Sequence, residues 1–300
     1  MGLKIPGRRG SAMRCRTWSG IDVDCGMISP IILGASGRVG RMVCRAWPED
    51  VPPPVPVGRR AGAVRWDMAG PPPPLAGAEG AAVIVLAGVT PHGDGDLAGN
   101  APLALAALAA ARTWGARHLF VASSSSVYGE TPAAGVDETA RCAPAGPYGA
   151  EKLRMEAAVA EAAQGLGVTC LRVGNVAGAG APFDTLAAGA ERPWLHRFAD
   201  GTGPSRSYVG PVTLAHCLAA LCRLAAAGQP LPPVLNLAAP RPTAMADIYA
   251  ARGRSFAWRP APPDGLHRVH LDCTRLSALV PLPQNAGAAA TLWAEVDRAA

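Results

Sequence analysis

The sequence lacks the patterns that mark several large classes of protein. No stretch reaches about 18 uninterrupted apolar residues, so we expect no transmembrane helix and no membrane partner. The formal net charge of +6 is spread along the chain without a long basic run, so we expect no nucleic-acid partner. Residues 1–27 are basic and lack the apolar core of a signal peptide. We expect them to form a disordered tail on a cytoplasmic protein.

Closely spaced cysteine pairs are also missing. The eight cysteines contain no Cys-x-x-Cys pair, and several lie in apolar segments, as Cys170 does in VTCLRV. This pattern favours reduced structural thiols in the cytoplasm over disulfides or a zinc site. His267 and His270 stand three residues apart without a completed ligand set around them, so we expect no metal.

Lysine is the scarcest charged residue, with two copies (Lys4 and Lys152) beside 26 arginines. A lysine kept at one place in such a chain suggests a site that needs a compact ammonium, because the two cations are not interchangeable. Lys152 follows Tyr148 by four residues, a spacing expected by chance only about 0.03 times in this composition. On a helix the two share a face, so the ammonium can stabilise the phenolate and lower its pKa from about 10. The pair predicts a tyrosine prepared for proton transfer.

Apolar runs alternate with amphipathic segments up to about residue 175. Strands are predicted at 30–33, 55–57, 64–68, 82–87, 118–122 and 168–173, and helices at 41–47, 100–112 and 148–164. The alternation predicts an α/β fold, a Rossmann-type doubly wound parallel sheet. We assign 28–175 to a dinucleotide-binding domain. We expect 176–300 to form a small C-terminal substrate lobe with segments that return to the sheet.

A glycine loop joins the first predicted strand to the first helix. Gly34, Gly37 and Gly40 form Gly-x-x-Gly-x-x-Gly at the point where backbone N–H groups and a helix dipole favour a pyrophosphate. In this arrangement the first glycine makes the tight turn, the second lets the diphosphate approach, and the third lets the helix pack on the strand. The loop predicts a dinucleotide site.

The end of the second strand indicates which dinucleotide binds. An acidic residue there would bind the ribose 2′-OH of NAD, whereas this strand ends in Arg59 and Arg60, which suit a 2′-phosphate. Arg38 in the glycine loop could reach the same phosphate. Surface arginines are common in this chain, so the pattern favours NADP over NAD only modestly. Asp67 is a candidate adenine contact.

A run of four serines, Ser123–Ser126, follows the strand at 118–122, whose end should face the cofactor crevice. A hydroxyl there can bind a substrate carbonyl or carbinol oxygen while Tyr148 exchanges its proton. At least two of the four serines are expected to form turns only.

Taken in order, GASGRVG, VIVLAG, SSSSVYG, PYGAEK, LRVGNVAG and RSYVGPVTLA resemble the extended short-chain dehydrogenase/reductases, also called the NAD-dependent epimerase/dehydratase family. The resemblance runs from about Pro30 to Leu279. It implies that Ser124 is the active hydroxyl, that Tyr148 is the general acid/base, and that Lys152 lowers its pKa and holds the nicotinamide ribose. It also implies a homodimer that pairs the helices beginning near Asn100 and Tyr148.

The resemblance extends to further positions around the cofactor and the substrate. The implied cofactor contacts in and after the first and fourth predicted strands are Ser36, Arg38, Val39, Leu86, Ala87 and Gly88. The candidate substrate contacts are Ser125, Asn175 and Arg206.

The chain departs from the family's pattern in the residues that serve dehydration. The dehydratases carry Asp-Glu after the catalytic hydroxyl, where this chain has Ser125 and Ser126, so dehydration is disfavoured. The leading hypothesis is an NAD(P)-dependent oxidoreductase acting on a sugar-like or small carbonyl substrate. A nucleotide-sugar 4-epimerase with retained NAD is the alternative. A catalytically silent NAD(P)-binding regulatory protein is the hypothesis of another class, and the intact Ser124, Tyr148 and Lys152 set argues against it.

Overall fold

The computed structural model describes residues 14–16, 22–24, 27–60, 64–91, 95–189 and 193–300. Most of the tail expected at 1–27 lies outside the described residues. Two short strands within it, β1 (Arg14–Arg16) and β2 (Asp22–Asp24), pair antiparallel.

Seven parallel strands form the central sheet, as the alternating pattern predicts. They are β3 (Ile31–Leu33), β4 (Val55–Gly58), β5 (Val64–Arg65), β6 (Ala82–Val85), β7 (His118–Ser124), β8 (Gly167–Val173) and β13 (Val234–Leu237). Their spatial order is β13-β8-β7-β6-β3-β4-β5. The order reverses between β3 and β6, and ligands of open α/β sheets bind outside the carboxyl ends of the strands at such a point.

The strand predicted at 64–68 is shorter than expected. It ends at Arg65, and its edge pairing with β4 covers two residues, Val57↔Val64 and Gly58↔Arg65. Met68 takes a left-handed backbone with φ of 65°, which a strand does not accommodate. The chain therefore turns away from the sheet after Trp66.

Helices cover both faces of the sheet. The eight helices are α1 (Arg38–Arg45), α2 (Asn100–Thr113), α3 (Pro147–Ala162), α4 (Phe183–Ala187), α5 (Pro211–Ala226), α6 (Met245–Ala250), α7 (Thr274–Leu279) and α8 (Ala289–Ala299) in the described residues. Alternate strand residues face opposite sides. Ile32, Ile84 and Phe120 belong to the core beneath α5, whereas Val83 and Leu119 belong to the core beneath α2 and α3.

The C-terminal part builds a lobe of short strands beside the carboxyl ends of the sheet. Its strands are β9 (Asn175–Val176), β10 (Trp194–Arg197), β11 (Ser205–Arg206), β12 (Tyr208–Val209), β14 (Thr243–Ala244), β15 (Ala257–Pro260) and β16 (Arg268–Val269). β9 pairs with β12, β10 with β15, and β11 lies between β14 and β16. β13 pairs with β8 at one edge of the central sheet, and α5 packs against one face of that sheet. None of the helices in the described ranges is long and apolar enough to cross a membrane.

Candidate active site

The glycine loop is packed too tightly for side chains at its first and third glycines. Gly34 has φ of +86°, and a Cβ on it would lie 2.4 Å from the backbone nitrogen of Ala87. A Cβ on Gly40 would lie 2.2 Å from the Gly34 carbonyl oxygen. Gly37 precedes α1 with extended backbone. This is the shape that holds a pyrophosphate at a helix N-terminus, so these residues fit a dinucleotide.

A crevice of about 420 Å³ opens beside the loop at the end of β4 and β5, lined by Arg59, Arg65, Trp66 and Asp67. The Ser36 hydroxyl faces the same strand end, because a Cβ on Gly58 would lie 2.6 Å from it. Arg59 and Asp67, which the sequence predicts at the adenosine end of the cofactor, both line this crevice.

Arg65 lines this crevice as well, although the sequence does not single it out. Arg60 is exposed and does not line the crevice. Arg59, Arg60 and Arg65 have no ion-pair or hydrogen-bond partner among the described residues.

Arg38 is engaged elsewhere in this structure. Its guanidinium forms a two-point ion pair with Asp184 of α4, including an Nη1–Oδ2 contact of 2.8 Å. Asp184 also accepts a hydrogen bond of 3.1 Å from the backbone nitrogen of Gly180. The glycine loop is therefore tied to the substrate lobe by a residue that we expected at the cofactor phosphate.

The serine run places one hydroxyl at the carboxyl end of β7. Ser124 ends β7, and its Oγ accepts from the Ser126 backbone nitrogen at 3.1 Å and donates to Ser126 Oγ at 3.1 Å. Ser125 is buried at 5% exposure. Ser126 lies directly against α3, since a Cβ on Gly149 would lie 2.2 Å from the Ser126 carbonyl oxygen.

Tyr148 and Lys152 stand on adjacent turns of α3 beside this serine segment. Tyr148 is hydrogen-bonded to the side chain of Ser124. Lys152 Nζ lies 5.9 Å from the centre of the Tyr148 ring and donates to the Ala122 carbonyl oxygen at 2.9 Å. The structure thus brings together the three side chains that the sequence resemblance assigns to catalysis.

Burial changes the proton affinity of both groups. Desolvation raises the pKa of Tyr148, and the hydrogen bond with Ser124 lowers it by less. The sequence predicts a Tyr148 pKa lowered by Lys152. In the structure this pKa is raised instead, because the cost of burying a phenolate dominates and Lys152 is not among the groups that act on Tyr148. Desolvation also lowers the pKa of Lys152 to about 8, so this ammonium is only moderately stable at neutral pH.

Gly88 and Asn100 lie close to Lys152. A Cβ on Gly88 would lie 3.0 Å from Asn100 Oδ1 and 3.3 Å from Lys152 Nζ. Asn100 is buried and fixes the loop after β6, because its side-chain amide exchanges hydrogen bonds with both backbone groups of Val89 at 3.1 and 3.0 Å. The neighbouring Leu86 and Ala87 donate their N–H groups to the Leu33 carbonyl.

Of the two candidate substrate contacts in the lobe, one is committed to the protein itself. Arg206 donates from Nη1 and Nη2 to the carbonyls of Ser205, His267 and Leu266 at 2.8 to 2.9 Å. These bonds link Arg206 of β11 to the segment that precedes β16. Asn175 is half-buried in β9, and its side-chain amide has no hydrogen-bond partner in the described part of the chain.

A buried ion pair that lies one turn beyond Lys152 is absent from the sequence-based candidates. Glu156 and Arg172 are each 6% exposed and are joined by contacts of 2.7 to 3.2 Å. Two signals were available: Glu156 follows Lys152 by four residues, and Arg172 interrupts an apolar strand. Neither signal says that the two side chains meet.

These features define a class. In the seven-stranded Rossmann sheet, the glycine loop follows β3 at the point where the strand order reverses. Ser124, Tyr148 and Lys152 lie together at the carboxyl end of β7. Residues 79–220 match the model of the NAD dependent epimerase/dehydratase family. This match covers just under half of the chain and confirms, over those residues, the resemblance seen in the sequence.

Solved structures show the same fold at low sequence identity. UDP-glucose 4-epimerase of Thermus thermophilus, solved with NAD, has a TM-score of 0.68 at 21% identity and covers 91% of this chain and 99% of its own. UDP-glucose-4-epimerase of Stenotrophomonas maltophila, with bound NAD and formylated UDP-arabinopyranose, has a TM-score of 0.72 at 18% identity, covering 91% and 100%. UDP-N-acetylglucosamine 4-epimerase of Methanobrevibacter ruminantium M1, in complex with UDP-N-acetylmuramic acid, has a TM-score of 0.64 at 16% identity. The match covers 90% of this chain and 99% of that epimerase. No curated protein matches the chain.

Proposed function

We propose that this protein is an NAD(P)-dependent oxidoreductase that moves hydride at a hydroxyl or carbonyl carbon of a sugar-like or small carbonyl substrate. The observation that carries the proposal is the contact of Tyr148 with Ser124, beside Lys152, at the carboxyl end of β7 and next to the glycine loop. Ligands of open α/β sheets bind at this edge.

The three side chains have distinct roles in the proposed reaction. The nicotinamide supplies or accepts the hydride when it is bound. Ser124 donates a hydrogen bond to the substrate oxygen and orients it. Tyr148 gives its proton to that oxygen during reduction and takes it back during oxidation. Burial raises the pKa of Tyr148 and keeps the proton on the phenol, which suits the reducing direction.

Two observations favour a reductase with NADPH within this proposal. Arg59 and Arg65 line the adenosine-end crevice without ion-pair partners among the described residues, so they are available to a 2′-phosphate. The guanidinium of Arg206 is occupied by three carbonyls, so it is a poor clamp for a substrate diphosphate. Ser125 and Ser126 offer no carboxylate, which disfavours dehydration.

The second candidate is a nucleotide-sugar 4-epimerase with retained NAD. It is supported by the similarity of the whole fold to structures named as UDP-sugar 4-epimerases. The two candidates differ in the fate of the cofactor, since an epimerase returns the hydride to the substrate and a reductase releases an oxidised dinucleotide after each turnover.

The cofactor that co-purifies with the protein separates the two candidates. Tightly held NAD would favour the epimerase, whereas an empty protein that binds NADPH would favour the reductase. In either case Tyr148→Phe should abolish hydride transfer and leave dinucleotide binding within about twofold, because the phenyl ring keeps the shape of the crevice. Full activity in Tyr148→Phe, followed by absorbance at 340 nm, would remove the proposed mechanism.

The proposal includes a homodimer in the cytoplasm. α2 and α3 lie side by side on one face of the sheet, and Leu105 of α2 is 37% exposed, so this face can pair with a second copy. The cysteines among the residues with described side chains are free. Light scattering on the purified protein would test the dimer.

A further inference from the structure

A buried group of charged side chains lies beyond Lys152 on α3, on the side away from Tyr148. The register of β7 and β8 places Ser123 beside Arg172, and Glu156 of α3 meets both. Ser123 Oγ donates to Glu156 Oε1 at 2.5 Å, and Arg172 donates to the same carboxylate from Nε and Nη2. Glu156 is therefore held in one position by two strand residues.

This carboxylate stands one helical turn beyond Lys152 on α3. Residues four apart on a helix are neighbours on its surface. Lys152 itself is 4% exposed, and its recorded contacts are the Ala122 carbonyl oxygen at 2.9 Å and the Met155 sulfur at 3.9 Å, neither of them an anion. A buried ammonium without a touching anion depends on charges further away.

The titratable and charged groups around Lys152 are few. On α3 they are Tyr148 and Glu156. On β8 they are Cys170 and Arg172, and Arg172 lies on the far side of Glu156. Burial raises the pKa of the Cys170 thiol to about 12, so it carries no charge near neutral pH. The phenol of Tyr148 is neutral for the same reason. Glu156 is therefore the negative charge on the described elements packed against Lys152.

We propose that Glu156, fixed by Arg172 and Ser123, is a positioning residue whose negative charge keeps Lys152 an ammonium and so sets the alkaline limit of activity. This inference rests on the proposed function of Tyr148 and Lys152, because a neutral Lys152 would neither stabilise a phenolate nor act as a charged donor to a ribose. The attraction acts against the desolvation that lowers the pKa of Lys152 to about 8.

The scarcity of lysine makes a direct test possible without a substrate. Protein labelled with ¹³C at lysine gives signals from two residues, Lys4 and Lys152, which Lys4→Arg assigns. In Glu156→Gln the pKa of Lys152 should fall by at least about one unit, since two charges about 6 Å apart at an effective dielectric of about 20 interact by about two pK units. Arg172, left without its partner, shifts the value in the same direction.

Arg172→Met is expected to shift the Lys152 pKa upward, because Glu156 then acts without a neutralising cation. A purely structural role predicts another result: loosened packing would admit water and raise the pKa toward 10.5 in both variants. A rise or no change in Glu156→Gln would therefore overturn the proposal. If Glu156→Gln does not fold, the double variant Glu156→Gln/Arg172→Met removes both charges of the pair. The pKa of Lys152 should then fall by less than in Glu156→Gln, and a rise would contradict the proposal.

Glu138→Gln is the matched control. Glu138 is a buried carboxylate that accepts from the Asn236 backbone nitrogen at 2.9 Å and pairs with Arg275, and it is not among the groups that act on Lys152. Its variant should leave the Lys152 pKa unchanged. The alkaline limb of the pH–rate profile should move with the titration in every variant. If wild type shows no hydride transfer at all, the proposed function fails while the titration still decides the role of Glu156.

Discussion

Gly149 decides how closely the helix that carries Tyr148 and Lys152 approaches the serine segment. In the middle of a helix, a change of glycine to alanine normally stabilises by about 1 kcal/mol. At Gly149 the new Cβ would lie 2.2 Å from the Ser126 carbonyl oxygen and 2.9 Å from Pro144 Cβ. Ordinary contact begins near 3.4 Å. Gly149→Ala should therefore push α3 away from Ser126 by about 1 Å.

A displacement of about 1 Å between catalytic groups costs on the order of 100-fold in rate. We therefore expect kcat of Gly149→Ala to fall about 100-fold, with the dinucleotide Kd changed much less, because the glycine loop lies on other elements. Stability should fall as well, against the trend of helix propensity. The assay is hydride transfer at 340 nm beside dinucleotide titration by fluorescence and urea unfolding.

Gly146→Ala is the matched control, since it lies just before the same helix and nothing lies within 4 Å of its added Cβ. Its kcat should stay within about twofold of wild type. Normal kcat together with raised stability in Gly149→Ala would refute the idea that this close approach positions Tyr148.

Two further perturbations test the cofactor crevice and the sheet. Arg59→Ala and Arg65→Ala should each raise the Kd of NADPH about tenfold or more and leave that of NADH within about twofold, because a guanidinium contact with a 2′-phosphate is lost; equal losses for both dinucleotides in a fluorescence titration would contradict the assignment. Burial lowers the pKa of His118 to about 4 from 6.5, so the unfolded chain takes up the proton first as pH falls, and its contribution to stability is present above pH 6.5 and is lost toward pH 4. This shift corresponds to about 3 kcal/mol. Between pH 6.5 and pH 4 the free energy of unfolding should therefore fall less in His118→Gln than in wild type, by about 3 kcal/mol. Equal losses in the two proteins, measured by urea unfolding, would show that His118 is not responsible.

Local patterns predicted the elements of the sheet because each pattern comes from neighbours in the chain. The glycine loop, the run of serines and the Tyr148–Lys152 spacing are visible in this way. The end of β5 was misjudged, since Val64–Met68 reads as an apolar run and nothing local shows that Met68 adopts a left-handed conformation. The same limit applies to Arg38, whose partner Asp184 is 146 residues away.

The sequence by itself determined the fold class, and it predicted the glycine loop and the three side chains that we propose for catalysis, because these depend on periodicity and on spacing within one turn or one helix. Only the tertiary structure decided which arginines are engaged within the protein and which are left to contact a ligand. It hydrogen-bonded Arg206 to three carbonyls, left Arg59 and Arg65 at a crevice, and joined Arg172 to Glu156. The strand register that sets Ser123 beside Arg172 is a property of β7 and β8 together. Burial likewise determined that the pKa of Tyr148 is raised, since the desolvation of a phenolate depends on everything packed around it.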